Sequence, residues 1–305
     1  MIYTLTLNLN LDLIYETRQL KHDQINRSRL TSISVGGKGI NISRALSHLG
    51  IRSQALGFCG GTFQSFILER LALEGIDTDL LKIEGSSRVN TKIIEKQNNN
   101  VVEINEYGPC ISPAETRAMF NQIRSKAGPG DYLVLAGSLP SGMDSHTYEQ
   151  IIKICRQDHI RVLLDASAEA LTWGIKAVPD YLSINMEELE NIKLQYADTP
   201  SRIAGLIGSG IEAILITDGP RKALYGSQQN LLEAIPPRVE GMYTVGSGDS
   251  VDAGFLYGII NKLPPSAILS TAIACGSANL LTDVPGKIDT GQVQRLKKEI
   301  KVNKL

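Results

Sequence analysis

Two glycine clusters in this chain stand where backbone amides could gather around an anion, and one of them carries a carboxylate. The first is Thr244-Val245-Gly246-Ser247-Gly248-Asp249-Ser250-Val251-Asp252-Ala253-Gly254-Phe255, in which Gly246 and Gly248 come just before a long apolar helical pattern. Glycine lets the backbone turn sharply and approach a ligand closely. A helix N-terminus adds N–H donors and the positive end of the macrodipole, so turn and helix together suit a phosphate-like anion. Asp249 sits at that opening. A carboxylate there repels a resting phosphate unless it has a separate task, and taking a proton from an attacking hydroxyl is such a task. A plainer reading stays open at this point: a Gly-rich turn with Asp249 as an ordinary helix cap. Other nucleotide motifs fit worse. A dinucleotide fingerprint needs glycine where Val251 stands, and a Walker sequence needs Gly-Lys-Ser/Thr in place of Gly248-Asp249-Ser250.

The second cluster, Val35-Gly36-Gly37-Lys38-Gly39-Ile40-Asn41, leads into an amphipathic helix. Ile42, Ala45, Leu46 and Leu49 recur at helical spacing, and Gly50 is placed to stop it. Lys38 offers a cation and Asn41 a neutral amide beside pliant backbone, although a strand-to-helix turn with a solvated lysine has the same pattern.

Elements able to position these residues follow from the alternation of the chain. Buried-strand runs at Tyr132–Ala136, Arg161–Leu164, Tyr181–Ile184 and Ala213–Thr217 alternate with helical stretches near Ser145–Gln157, Met186–Leu194, Pro200–Gly208 and Ser250–Asn261. This predicts an α/β fold with a mainly parallel sheet covered by helices on both faces. Ser138, Asp165, Asn185 and Asp218 follow the strand ends, where ligands bind in open α/β sheets; singly, Asp165 and Asp218 read as helix N-caps. Ser86–Tyr107 reads as a hairpin, Arg88–Lys96 and Val101–Tyr107 joined by Gln97-Asn98-Asn99-Asn100. With Leu11–Tyr15 and Thr31–Val35 it makes a small sheet projecting from the main body.

Composition narrows the partners. With 31 Lys+Arg against 32 Asp+Glu the net charge is -1, which gives no global attraction for nucleic acid or an anionic membrane. Cys59, Cys110, Cys155 and Cys275 form neither a zinc pattern nor a disulfide framework. The start, Met1-Ile2-Tyr3-Thr4-Leu5-Thr6-Leu7, alternates like a strand rather than a signal peptide, and no stretch approaches a membrane span, so a cytoplasmic protein is expected.

Taken together, Gly36-Gly37-Lys38-Gly39-x-Asn41 and Val245-Gly246-Ser247-Gly248-Asp249-Ser250 resemble the ribokinase/PfkB carbohydrate kinase family. Arg88-x-Asn90-x-Lys92, Gly137-Ser138-Leu139-Pro140, Asn185-x-Glu187-Glu188 and Gly276-Ser277-Ala278 extend the resemblance along nearly the whole chain. More narrowly, they resemble the branch containing 1-phosphofructokinases and tagatose-6-phosphate kinases. The resemblance implies one ribokinase-like kinase domain over residues 1–305, with a β-sheet lid drawn from about 11–35 and 86–108. It implies ATP and Mg²⁺ as cofactors and a ketohexose phosphate as acceptor. Fructose 1-phosphate is the first choice and tagatose 6-phosphate the second; a non-catalytic relative binding sugar phosphate or nucleotide is a further alternative. A homodimer contact through the lid is also implied.

By the same resemblance Asp249 is the general base, and backbone amides of Gly246, Ser247, Gly248 and Asp249 form the anion hole. Asp12, at the end of the first strand, Gly37, Asn41 and Ser138 would contact the sugar. Lys38 and Arg88, with Asn90 and Lys92, would hold its phosphate. Asn185 and Glu188 would organise Mg²⁺, and Thr217, Gly219, Ser277 and Asn279 the nucleotide. The chain departs from the family pattern in three places. Asn8-Leu9-Asn10-Leu11-Asp12 replaces Asn-Pro-Ser-x-x-Asp, Ser183 stands where a lysine usually precedes the Asn-x-x-Glu motif, and Lys222 replaces a nucleotide-loop glycine. A lysine at position 183 would face the nucleotide phosphates if the strand ends as predicted.

Overall fold

The computed structural model describes residues 1–98, 100–239 and 244–305. Its strands form two sheets. The larger runs in the order β14-β13-β12-β11-β10-β9-β8-β1-β4-β5. Its members are β1 (Ile2–Thr6), β4 (Gln54–Gly60), β5 (Asp77–Ile83), β8 (Tyr132–Ala136), β9 (Arg161–Asp165), β10 (Tyr181–Asn185), β11 (Ala213–Thr217), β12 (Ala223–Ser227), β13 (Asn230–Ala234) and β14 (Val302–Lys304). The smaller, β3-β2-β6-β7, contains β2 (Asn10–Thr17), β3 (Arg29–Gly36), β6 (Arg88–Glu95) and β7 (Asn100–Asn105).

From β5 to β11 every pair in the large sheet is parallel; from β11 to β14 the pairs are antiparallel. The four predicted strands fall within a residue of where the pattern placed them. Each is an apolar run buried on both faces, as a helix-covered parallel sheet requires. Two cores follow: one face packs Leu5, Leu133, Ile151, Leu164 and Ile214, and the other packs Val134, Leu163, Leu215, Phe255 and Ala272.

The small sheet is the predicted hairpin β6–β7, antiparallel from Asn90↔Asn105 to Glu95↔Asn100, joined to β2 and β3. Asn99, in its polar turn, lies outside the described residues. One expectation changes. Asp12 is not at the end of the first strand: β1 stops at Thr6, and Asp12 belongs to β2 in the small sheet, paired with Ser34 and Asn90. Among the described residues, no helix is long and apolar enough to cross a membrane.

Two helices bring the glycine clusters together. The helix Lys38–His48 is capped by Gly37 at φ 114°, a conformation that side chains resist. A Cβ there would come within 2.5 Å of Thr6 Cγ2, so the glycine lets the helix start directly against β1. The helix Ser247–Ile260 packs beside it, buried on nearly every side between its neighbours.

Candidate active site

Gly246, at φ 83°, is the N-cap of the helix Ser247–Ile260. A Cβ on it would lie 2.6 Å from Pro285 Cα and 2.7 Å from the Gly286 nitrogen, so the turn closes against that loop only with glycine. Gly248 is exposed, and a Cβ there would meet nothing within 4 Å, which leaves space beside the first-turn backbone. Asp249 is therefore the third helical residue and not the cap. It is 7% exposed, and Asn41 Nδ2 donates to its Oδ2 at 2.7 Å. Burial raises its pKa from the ordinary 3.8 to about 6; Lys38 opposes that rise, Asp165 adds to it, and Asn41 and Arg44 moderate it.

Lys38 Nζ lies 2.7 and 2.8 Å from the two oxygens of Asp165. Burial works to discharge this lysine, but Asp165, Asp249 and Asp252 outweigh it and raise its pKa. Asp165 thus ends β9 as the partner of Lys38, and the cap of the next helix, Ala168–Lys176, is Ser167. Asp218 is not a cap either; it pairs with Arg221 in the β11–β12 turn. Asp252, 2% exposed, has its pKa raised well above the ordinary range by burial and by Asp165, while a hydrogen bond from Ser183 opposes the rise. Ser183 is itself buried, beside Asp252.

A cavity of about 350 Å³ opens between the Gly246 turn and the small sheet. Asp12, Gly37, Lys38, Asn41, Arg88, Asn90, Gly246 and Asp249 all line it, so most of the expected sugar and phosphate contacts converge. Asn90 Nδ2 donates to Asp12 Oδ1 at 3.1 Å. Burial raises the Asp12 pKa against the hydrogen bonds of Asn90 and Asn10 and the charges of Arg88 and Lys92. Burial lowers that of Arg88, with Asp12 opposing. Arg88 Nε and Asn90 Oδ1 are buried with no partner among the described residues, which is how polar groups stand when their partner is a ligand. Lys92 is tied to Glu103 at 2.6 Å, leaving Arg88 the less committed cation.

The remaining candidates do not line that cavity. Ser138 is exposed after β8 and accepts from Asn8 Nδ2 at 3.4 Å. Asn185 and Glu188 form a capping box on the short helix Met186–Asn191: Glu188 N donates to Asn185 Oδ1 and Asn185 N to Glu188 Oε2, both at 2.8 Å. Burial raises the Glu188 pKa, and Asp165 adds to it. A single half-buried carboxylate suits Mg²⁺, which keeps several of its waters. Thr217 ends β11 and Gly219 lies exposed in the following turn. Ser277 and Asn279 are buried near the end of the helix Pro265–Asn279. Asn279 Nδ2 donates to the carbonyls of Val284 and Lys287 at 3.1 and 3.0 Å, so its amide pins the loop that backs Gly246. Lys222 lies 3.7 Å from Glu233 on the antiparallel edge.

A family model described as pfkB family carbohydrate kinase matches residues 7–285. The chain belongs to the pfkB family of carbohydrate kinases. A 1-phosphofructokinase of Bacillus subtilis is 34% identical over the full length of both chains. A tagatose-6-phosphate kinase of Staphylococcus epidermidis is 30% identical over 99% of each. The solved structure of phosphofructokinase-2 from Escherichia coli in complex with substrates and products superposes with a TM-score of 0.90 at 25% identity, covering 98% of each chain. That enzyme is also known in a tetrameric inhibited form.

Several residues of this pfkB kinase escape a reading by motif. Asn10, Glu103 and the Thr282–Pro285 loop line the cavity, and Arg44 stands behind Asn41. Arg44 had no such signal, because it lies across the helix from the Ile42, Ala45, Leu46 and Leu49 stripe. Glu103 had none, because its place depends on the hairpin register.

Proposed function

We propose that this chain is a cytoplasmic, ATP-dependent ketohexose-phosphate kinase, with fructose 1-phosphate as its acceptor and the 1,6-bisphosphate as product. The observation that carries the reading is Asp249. It is a buried carboxylate held by Asn41, in the first turn of a glycine-capped helix and on the wall of a cavity lined by Arg88 and Lys92. Phosphoryl transfer needs positioning and charge stabilisation more than covalent chemistry from the protein. Asp12 and Asn90 would orient the sugar, and Arg88 would grip its phosphate. Asp249 would take the proton of the attacking hydroxyl while amides of the 246–249 turn receive charge on the transferred group. Lys38 would offset charge between Asp165 and Asp249. Glu188 would hold Mg²⁺, which supplies charge neutralisation for the nucleotide phosphates, with Asn185, Thr217, Gly219, Ser277 and Asn279 on the nucleotide side. Tagatose 6-phosphate is the second acceptor, favoured by the full-length relative of that activity.

The small sheet would act as the lid. Its outer strand β7 is exposed throughout, and Val101, Val102 and Ile104 are apolar, which suits a homodimer contact. The deciding experiment is ATP·Mg²⁺ turnover against hexoses, ketohexose 1-phosphates and ketohexose 6-phosphates. Binding without turnover on every acceptor would make the chain a sensor.

The acid limb of kcat/KM is expected near pH 6. Asp249 works ionised and its pKa is raised to about 6, so activity is full above that value and lost as pH falls through it. A limb near 4 would remove the buried base. Ser183→Lys, at the family's lysine position, would meet Asp252 and Asp165 before any phosphate. It is expected to change kcat/KM for ATP by less than about tenfold, the lower end for one charge-assisted hydrogen bond. A larger gain in a variant of unchanged Tm would return position 183 to the nucleotide.

A further inference from the structure

Arg44 is a charged side chain sealed inside the fold, 4% exposed, three residues beyond Asn41 on the same helix face. All three of its guanidinium nitrogens donate. Nη1 reaches Asn41 Oδ1 at 2.9 Å and the Pro285 carbonyl at 2.6 Å. Nη2 reaches the Val35 carbonyl at 2.9 Å, and Nε reaches Glu74 Oε2 at 2.8 Å. It does not line the cavity.

We propose that Arg44 is a positioning residue for the phosphoryl-transfer site: it fixes which way the Asn41 carboxamide points, and so aims Asn41 Nδ2 at Asp249. The inference rests on the reading of Asp249 as the base. The chemistry is one of complementary ends. Guanidinium has donors and no acceptor, so the end of Asn41 that meets it must be the carbonyl oxygen. The amide end is then left to meet the carboxylate of Asp249 at 2.7 Å. With Arg44 gone, the carboxamide can turn over and set its oxygen against that carboxylate, acceptor against acceptor.

The same guanidinium holds the Pro285 carbonyl, and the Pro285–Gly286 segment is the wall against which Gly246 closes. One side chain therefore ties the base, its orienting amide and the wall of the anion turn to the end of β3. Lysine cannot replace it, because an ammonium lacks the planar fork that serves acceptors in four directions.

The test compares wild type, Arg44→Lys, Asn41→Ala and the double variant. It reads Tm, the acid limb of kcat/KM and, in asparagine-labelled protein, the pH titration of the Asn41 side-chain amide. In the wild type one Asn41 amide proton is expected to titrate with Asp249, near pH 6, and to exchange slowly. Arg44→Lys should move that midpoint and the acid limb upward together by about one unit, the worth of one hydrogen bond. It should lower kcat at least about tenfold, with sugar-phosphate KM changing less. In the Asn41→Ala background the same substitution should add little, because the two residues act in series. A folded Arg44→Lys protein with the wild-type midpoint, or additive losses in the cycle, would overturn the proposal and leave Arg44 a structural ion. Absence of an Asp249-linked titration at Asn41 in the wild type would overturn it with no variant needed. A chain lacking turnover but keeping that titration and its shift in Arg44→Lys would lose the kinase reading and keep the Arg44–Asn41–Asp249 linkage.

Discussion

Asp249→Asn is expected to lose ~10²–10⁴ of kcat while KM for ATP and for the sugar phosphate stays within a few-fold, the range general-base catalysis supplies. The substitution is isosteric, and an asparagine oxygen can still accept from Asn41, so the loss should fall on the chemical step. A second consequence separates it from mere damage. Asp249 has a folded-state pKa raised from 3.8 to about 6, so the folded protein binds the extra proton between those values and loses stability as pH rises through them. At neutral pH the ionised carboxylate costs folding on the order of 3 kcal/mol, at 1.36 kcal/mol per unit. Asp249→Asn should therefore melt higher than wild type at neutral pH, with the gain fading towards pH 4. An inactive variant that is also more stable is the signature of a carboxylate kept for function. Near-normal kcat would end the assignment of Asp249 as base.

Arg88→Ala is expected to raise KM for the sugar phosphate roughly tenfold to a hundredfold and leave KM for ATP unchanged, from the loss of ~1.5–3 kcal/mol of charge-assisted hydrogen bonding. Arg88 lines the cavity with Nε lacking a partner among the described residues and Nη1 3.4 Å from the Glu106 carbonyl. Lys92, across the same wall, is already paired with Glu103. The guanidinium fork is the better match for a phosphate that must be told from a hydroxyl. An unchanged sugar-phosphate KM would mean that Arg88 serves only to balance Asp12.

Where local pattern determines structure, the sequence reading holds. The strands of the parallel sheet, the helix after Gly37 and the hairpin β6–β7 announce themselves through burial pattern, capping and turn chemistry. The helix stop at Gly50 does too, with φ 76° there. What was not legible depends on the register between distant segments. Asp165 looks like a helix cap until Lys38, 127 residues away in sequence, is found on it. Asp12 resembles a residue closing the first strand, yet the chain crosses at Leu7–Leu9 into a second sheet. Ser183 marks a missing lysine, and only the packing of the helix Ser247–Ile260 shows Asp252 standing against it. Asn185 and Glu188 serve as a capping box, and such a box and a metal-organising pair have the same spacing, so no count of residues separates them.

The way the small sheet is joined to the body has a mechanical consequence. Four connections cross between them: Leu7–Leu9 into β2, Gly37 out of β3, Glu84–Ser87 into β6, and Glu106–Ser112 out of β7. The one at Gly37 has no slack, because the strand ends at Gly36 and the helix begins at Lys38. Any swing of the sheet is thus tethered most tightly there, and displacement grows with distance from that tether. Lys38 and Asn41 would sit at the still end of such a lever, and the strand ends remote from Gly37 would travel furthest. Opening of the cleft would thus leave the residues around Asp249 undisturbed, and the proposed base would keep its aim.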